Sequence, residues 1–400
     1  MANRIKVLSV IDGLGYAGDE SRLLSLGRTL DRDRFDHSVL TVNPTAYTRA
    51  NEFASRREQY LKAGISMNDL SEVSPEEDYF LKALPKKLYA KTGIFRRALR
   101  LARVVRKWNV HVLDCHLESA GLVGVLAGRL TGTPASITLY CGARVGNTMV
   151  WAWPTRMALR LASAVLTDSR IRAAEMRALI PRRDHKVSVI PNGIPQPQSS
   201  RSSTEMRRLL GLPEDPQIRV IGMVGRLIEY KGHEVLLRAA RTVLQREPNT
   251  AFLAVGYPRT ESYKRSLLRQ AQELGIAERF IITEYPGEIA DVWNAIDIHA
   301  HASLFDSLPI SIAESMSLGK PAVVTSAGGI PEIVQNGYTG IIVAPGDPDA
   351  LAAALLVVLR QPALAERLGR NARSRYEQYY RPEIMARKME EFFLNMAGKR

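Results

Sequence analysis

The hydrophobic positions of this chain fall into short apolar runs separated by amphipathic stretches, the pattern of buried parallel strands alternating with helices. In the first half, Ile5–Ile11, His37–Val42, Val110–His116, Ala135–Tyr140, Ala164–Thr167 and Val187–Ile190 predict strands. Glu20–Leu30, Gly93–Trp108, Ala120–Leu130 and Thr155–Ala162 predict helices, and Leu61–Leu70 reads as an elaborated connection with a short strand. In the second half, strands are predicted at Arg219–Val224, Ala251–Val255, Phe280–Thr283, Ala322–Thr325 and in the alternating run IDIHAHA at 296–302. Helices are predicted at Glu205–Leu210, His233–Gln245, Tyr263–Leu274, Ile289–Ala295, Ile310–Leu318, Pro348–Arg360, Pro362–Tyr379 and Pro382–Met396. The Pro-, Gln- and Ser-rich stretch from Gln196 to Ser203 has no period and marks a junction. Domains are therefore expected at 1–195 and 196–380, followed by a helix within 381–400. Two doubly wound α/β domains would face each other across a cleft. Their ligands would sit beyond the carboxyl ends of the strands, where Gly15, His116, Cys141, Asn192, Arg226 and Asp306 fall.

Composition agrees with that division and adds a charge asymmetry. A chain of 400 residues exceeds the ~250–300 at which one core usually splits. The two cysteines, Cys115 and Cys141, give neither a disulfide framework nor metal-ligand spacing, which fits a reducing compartment. No run reaches the ~18 apolar residues that a spanning helix needs, and the apolar start is read as the first buried strand, not a signal peptide. Net charge is +14, and residues 1–195 hold most of it, with 30 lysines and arginines against 18 acids. Between Asp78 and Asp114 there is no acid, and 82–107 carries ten cations from Lys82 to Lys107. Such a patch attracts anionic membranes, nucleic acid or acidic polymers. Nucleic acid is disfavoured, because no stacking aromatics are interleaved with the charges. In the Gly93–Trp108 helix, Ile94, Ala98, Leu101, Val105 and Trp108 form one stripe, and Arg96, Arg100, Arg103 and Lys107 the opposite one. That basic face is either simply solvated or a membrane-surface face.

Candidate chemistry concentrates between His299 and Asp347. A strand runs into the breaker Asp306-Ser307-Leu308-Pro309, then a helix, then Gly319-Lys320-Pro321, a buried strand and the Gly turn Ala327–Glu332. A loop entering a helix offers unpaired N–H groups and a positive dipole end, which suit a diphosphate. Two carboxylates, Asp306 and Glu314, can each accept two hydroxyls of a sugar. The alternative is a routine βαβ unit with two solvated acids. The early loop Gly13–Gly18 is dinucleotide-like only loosely, since no clear ribose acid follows it, and a tight turn without ligand stands beside that reading. His116 either serves structure or lines the cleft.

Several motifs together resemble family 4 of the retaining glycosyltransferases. They are PNGI at 191–194, GRLIEYKG at 225–232, the pair Asp306/Glu314 as D-x7-E, and SLGKPAVVTSAGGIPEIVQNGYTGIIVAPGD at 317–347. The opening IDGLGYAGDESRLLSLGRTLDRDRF is similar to that family's first β–α unit. The likeness covers nearly the whole chain and is weakest at 44–110. It implies a GT-B fold of two Rossmann-like domains. The acceptor would bind the N-terminal one and the sugar nucleotide mostly the C-terminal one, and the last helix would cross back to the first domain. Arg226 and Lys231 would hold the donor diphosphate, a role that two cations and helix N-termini can fill without a metal. Glu314 would hold the ribose and Asp306 the transferred sugar. Gly225, the segment Leu308, Pro309, Ile310 and Ser311, and Asn192 would lie on the donor side, while Gly15 and Gly18 would let the first loop approach it. His116, Tyr140, Cys141 and Arg144 would line the acceptor or sugar cleft.

Two departures stand out. The family's first acid is usually Glu, and Asp306 is one methylene shorter. A His-Gly often follows the strand ending here at Tyr140, and this chain has Cys141-Gly142, which hydrogen-bonds poorly in its place.

The expected function is metal-free transfer of a hexosyl group from a nucleotide diphosphate sugar, with retention. No carboxylate pair supports a glycosidase arrangement. The acceptor would be lipid-linked or a glycan, as in polysaccharide or glycolipid biosynthesis. The protein would be cytoplasmic and peripheral at the inner face of the membrane, with 82–107 on anionic lipid. Three alternatives are a sugar-nucleotide-binding module with impaired catalysis, a GT-B-fold epimerase, and, disfavoured, a nicotinamide dehydrogenase.

Overall fold

In the computed structural model, the described residues are 4–13, 18–43, 57–74, 93–139, 143–145, 148–150, 153–285 and 287–398. The chain forms two compact units, one of residues 1–193 with 382–400, the other of residues 194–381.

The first unit is built on strands β1 (Ile5–Ile11), β2 (Phe35–Thr41), β3 (Ser66–Asp69), β4 (Val112–His116) and β5 (Ala135–Thr138). A small antiparallel pair, β6 (Ala143–Val145) and β7 (Thr148–Val150), follows, then β8 (Ala164–Thr167) and β9 (Val187–Val189). The seven-stranded sheet has the order β3-β2-β1-β4-β5-β8-β9 and is parallel throughout. A parallel sheet needs cover on both faces, which is why its strands read as continuous apolar runs. One face packs the helices Gly93–Trp108, Glu118–Thr131, Trp153–Leu161 and Arg170–Leu179 into a single core with Leu8, Leu113 and Ile137. Against Val7, Phe35 and Leu166 lie Met385, Met389, Phe393 and Met396 of the last helix, Pro382–Ala397.

The second unit carries β10 (Arg219–Val224), β11 (Thr250–Val255), β12 (Phe280–Thr283), β13 (Ile298–His301), β14 (Ala322–Thr325) and β15 (Ile341–Val343). Its order is β12-β11-β10-β13-β14-β15, again all parallel. The chain winds outward in both directions from β10 and β13. The loops after these two strands therefore diverge at the topological switch point, the place where such sheets bind ligands.

The predicted strands and helices recur with ends moved by one or two residues. Elements not predicted include the helices Leu70–Val73 and Arg170–Leu179, the 3-10 turns Pro181–Lys186 and Glu229–Lys231, the hairpin β6–β7 and the edge strand β15. One expectation is corrected. The stripe of Arg96, Arg100, Arg103 and Lys107 is not uniformly solvated, since Arg96 and Arg100 are buried. Arg100 donates to the carbonyls of Ser74 at 2.6 Å and Leu70 at 3.0 Å. The guanidinium caps the carbonyl end of the short helix Leu70–Val73 instead of facing water.

Candidate functional site

At the switch point of the second unit, Gly225 to Gly232 leaves β10 and turns back into the helix His233–Arg246. Three features fix this loop. His233 is buried, which pulls its pKa down to about 4, so the ring is neutral and its Nε2–H donates to the Arg226 carbonyl at 3.1 Å. Leu304 N–H donates to Tyr230 O at 2.8 Å, joining the loop to the one after β13. Gly232 has φ +76° and its missing Cβ would stand 2.0 Å from Ala302 O, so only glycine lets the two loops touch.

The loop presents two cations. Arg226 is exposed, and its Nη2 donates to the Tyr230 hydroxyl at 3.1 Å. Lys231 Nζ lies 5.9 Å from the Tyr230 ring centroid and 2.5 Å from Asp306 Oδ2. Tyr230 thus spaces the guanidinium from the ammonium, a role the sequence reading did not give it.

Asp306 is held through one carboxyl oxygen and its backbone. Its Oδ2 also receives His301 Nε2 at 3.0 Å and Ser303 Oγ at 3.1 Å, and Ser303 lies 2.9 Å from the same His301 nitrogen. Burial opposes ionisation of Asp306, but Lys231 and His301 outweigh it and hold the carboxyl well below its ordinary range. The Asp306 carbonyl accepts Gly329 N–H at 3.1 Å, and a Cβ on Gly328 would stand 1.8 Å from that oxygen. The carboxyl expected to meet a sugar is thereby committed through one oxygen to Lys231. His301 and Ser303, which complete the cluster, were not singled out in the sequence; their signal was the alternation HAHAS at the end of β13.

The helix Ile310–Ser317 begins at Pro309 with no side-chain cap. Leu308 and Pro309 are buried, Ile310 and Ser311 half-buried, and the Ile312 N–H reaches the Pro309 carbonyl at 3.2 Å. One turn on, Glu314 is half-buried and accepts Trp293 Nε1–H at 3.1 Å. Burial raises its pKa to about 7, the Trp293 bond acting against it. Two carboxyls eight residues apart in sequence are thus tuned in opposite directions, one locked ionised and one poised near neutrality. The structure brings Arg226, Lys231, Asp306 and the start of the Ile310 helix to one strand-end region, with Gly225 at its edge.

In the first unit the predicted residues divide. His116 ends β4, fully buried, and its Nε2–H donates to Asp114 Oδ2 at 2.8 Å. Asp114 also receives Ser9 and Ser136, and Ser9 accepts from His37 at 2.9 Å. Burial pushes Asp114 up, but His116, Arg22 and Ser136 outweigh it and bring it to about 2. His116 is therefore part of an internal polar network, with Nδ1 the atom left without a partner. Asn192 is buried, and its Oδ1 accepts Arg22 Nη1 at 2.8 Å, which ties the first helix to the end of β9. That bond engages the oxygen of the amide expected on the donor side. Gly18 opens the helix Gly18–Thr29. Gly15, Tyr140 and Cys141 lie outside the described residues, and Arg144 is placed as backbone within β6 only.

Comparison with known proteins adds to this geometry. The profile described as "Glycosyl transferases group 1" matches residues 203–375, and "Glycosyl transferase 4-like domain" matches residues 17–193. The 2-deoxystreptamine glucosyltransferase of Streptomyces kanamyceticus is 29% identical over 288 residues, 66% of this chain and 73% of that one. The D-inositol 3-phosphate glycosyltransferase of Corynebacterium jeikeium is 31% identical over 303 residues, 70% of each. Among solved structures, Anabaena HepE in complex with UDP-glucose superposes with a TM-score of 0.76 at 20% identity, covering 98% of this chain and 100% of that one. This last likeness concerns the fold, a two-domain α/β architecture of the GT-B type.

Proposed function

We propose that this chain, which belongs to the group 1 glycosyltransferases, transfers a hexosyl unit from a nucleotide diphosphate sugar to an acceptor hydroxyl with retention at the anomeric carbon. The observation that carries the proposal is the meeting of Lys231 and Asp306 beside the uncapped start of the Ile310 helix. This places an ammonium, and Arg226 on the same loop, near the positive end of a helix. Such a set can neutralise a departing nucleoside diphosphate without a divalent cation. Glu314, one turn further, would receive the ribose hydroxyls. The donor complex of Anabaena HepE, with UDP-glucose, supports this class of donor.

In the proposed step the acceptor oxygen attacks C1 on the face the phosphate leaves. The C1–O bond to the diphosphate breaks with its electron pair going to phosphate, and the acceptor proton passes to that phosphate oxygen. Lys231 and Arg226 stabilise the charge that grows there. Asp306 acts mainly by fixing Lys231.

For the acceptor, the lipid-linked or glycan reading draws on the basic interval of the first unit, where we place an anionic membrane surface at the inner leaflet. The burial of Arg96 and Arg100 takes two cations from that face. The relatives named for D-inositol 3-phosphate and 2-deoxystreptamine favour a second reading, a small cyclitol acceptor. Turnover of UDP- and GDP-hexoses with each acceptor class, with and without EDTA, separates them. Substituting Arg226→Ala or Lys231→Ala is expected to reduce turnover about 100-fold or more. Unchanged turnover in both variants would sink the proposal, and an inverted product anomer by NMR would sink the retention.

A further inference from the structure

Glu314 is held from behind. Trp293 is fully buried, packed with Val220, Leu253, Val292, Ala295 and Ile296. Its one polar atom, Nε1, donates to Glu314 Oε2 at 3.1 Å. The indole meets the His299 ring edge-on, centroids 5.0 Å apart at 85°. His299 Nδ1 in turn donates to Ser315 Oγ at 2.8 Å, because that hydroxyl spends its own proton on Ile312 O at 2.9 Å. The adjacent residues Glu314 and Ser315 are therefore tied separately, one to the helix Ile289–Asn294 and the other to β13. Apolar packing alone does not require this arrangement. A phenylalanine would fill much of the same space, whereas a buried indole N–H must find an acceptor.

We propose that Trp293 is a positioning residue for nucleotide recognition: it occupies Oε2 of Glu314, so that a ribose hydroxyl pair is received by Oε1, and it keeps the carboxyl in its hydroxyl-accepting form. The proposal rests on the reading of Glu314 as the donor's ribose acid and deepens it. A carboxylate receives hydroxyls from both ribose oxygens only when ionised, since the protonated group loses acceptor capacity. Burial already draws Glu314 toward neutrality, and the Trp293 bond is what resists it. Titratable groups on the elements packed around this helix include Asp291, on the helix of Trp293 itself, whose Oδ1 accepts Ser199 Oγ and Ser200 N–H, both at 2.8 Å. His299 is bonded to Ser315 and His301 to Asp306 on β13. On the helix Pro362–Tyr379, Tyr376 donates to Ile194 O and Arg375 to the carbonyls of Ile333 and Glu332. β14, reading AVVT, carries no titratable group.

The test is steady-state kinetics of Trp293→Phe in the full chain from pH 6 to 9, with Glu314→Gln as reference. At pH 7, KM for the sugar nucleotide is expected to rise about 10-fold, the scale of a bond to a charged group, with kcat within about 2-fold. The KM ratio to wild type should shrink as pH rises to 9 and the carboxyl ionises again. A ratio that is constant with pH, the mark of simple packing damage, or a KM equal to wild type at pH 7, overturns the proposal. If Trp293→Phe does not fold, the indole N–H NMR signal of Trp293 in the wild-type chain decides. It should titrate near pH 7 and stop titrating in Glu314→Gln, and a signal flat with pH overturns the proposal. A Glu314→Gln chain whose donor KM is unchanged overturns instead the assignment of Glu314 to the donor, whatever Trp293 does.

Discussion

Lys231 Nζ stands 2.5 Å from Asp306 Oδ2, with the two side chains 15% and 14% exposed. One comes from the loop after β10 and the other from the loop after β13, so their bond closes the switch point of the second sheet. An ammonium carries three donors, and this bond uses one of them. The lysine is aimed yet not exhausted. Removing the acid alone strands a nearly buried cation, which costs about 2–4 kcal/mol. Asp306→Ala is therefore expected to lose that much stability in urea denaturation. Adding Lys231→Met should recover part of it, with a coupling above about 1 kcal/mol in the double-mutant cycle. Because the Asp306 carboxyl is held below its ordinary range, the pair's contribution is complete above the unfolded value near 4 and is lost as pH falls through the folded one. The wild-type advantage should stay constant from pH 8 to 5 and shrink below pH 4. Strictly additive losses would contradict the pairing.

Glu314 behaves in the opposite sense. Its folded pKa is raised from the ordinary 4.5 to about 7, so between those values the native state binds more protons than the unfolded chain. Stability then falls as pH rises through that window, by up to about 3 kcal/mol. Glu314→Gln removes the titration while leaving an oxygen for Trp293. The glutamine chain is expected to gain about 1–3 kcal/mol over wild type between pH 4 and pH 8, even as it loses donor affinity. Paired denaturation curves at the two pH values measure this, and a difference that does not change with pH refutes it.

Most of the scaffold was legible because buried parallel strands announce themselves as apolar runs. Ile5–Ile11, Arg219–Val224 and Ala322–Thr325 were placed to the residue. The helix Arg170–Leu179 was overlooked because only Ala173 and Met176 of its apolar positions are buried, amid arginines. The edge strand β15 is half-buried along its length and lacks the continuous apolar signature. At the site, Arg226, Lys231, Asp306 and Glu314 were marked by spacing and resemblance. Their partners were not, because Tyr230, Trp293, His301 and Ser303 act through contacts that only the fold creates. Asn192 and His116 show the converse. Asn192 was marked by motif and His116 by position, with a structural role open for the histidine. What the sequence did not show is that each also bonds within the fold, to Arg22 and Asp114.

The basic helix separates its cations by function. Arg100 is buried and bonded to two carbonyls, whereas Arg106 and Lys107 are exposed in its last turn. Arg100→Met should cost about 1–3 kcal/mol, since two buried carbonyls lose a charged donor. Lys107→Glu should change stability by less than about 0.5 kcal/mol. If this face meets an anionic bilayer, Lys107→Glu should reduce flotation with vesicles containing phosphatidylserine and leave neutral vesicles unaffected. Equal partitioning of wild type onto both vesicle types removes the membrane from the proposal.

Gly232 and Gly211 offer a controlled comparison of two left-handed glycines. Both have positive φ, +76° and +72°. A Cβ on Gly211 meets nothing within 4 Å, while one on Gly232 would stand 2.0 Å from the Ala302 carbonyl. Gly211→Ala should therefore show only the conformational penalty, about 1 kcal/mol. Gly232→Ala must also push apart the loops that carry Lys231 and Asp306. It is expected to cost at least about 2 kcal/mol more and to lower turnover at least 10-fold, since small displacements of charge-stabilising groups are expensive in rate. Thermal unfolding and initial rates on the two variants check both parts. Equal behaviour of the two would mean that the contact between the loops has no part in holding the ammonium.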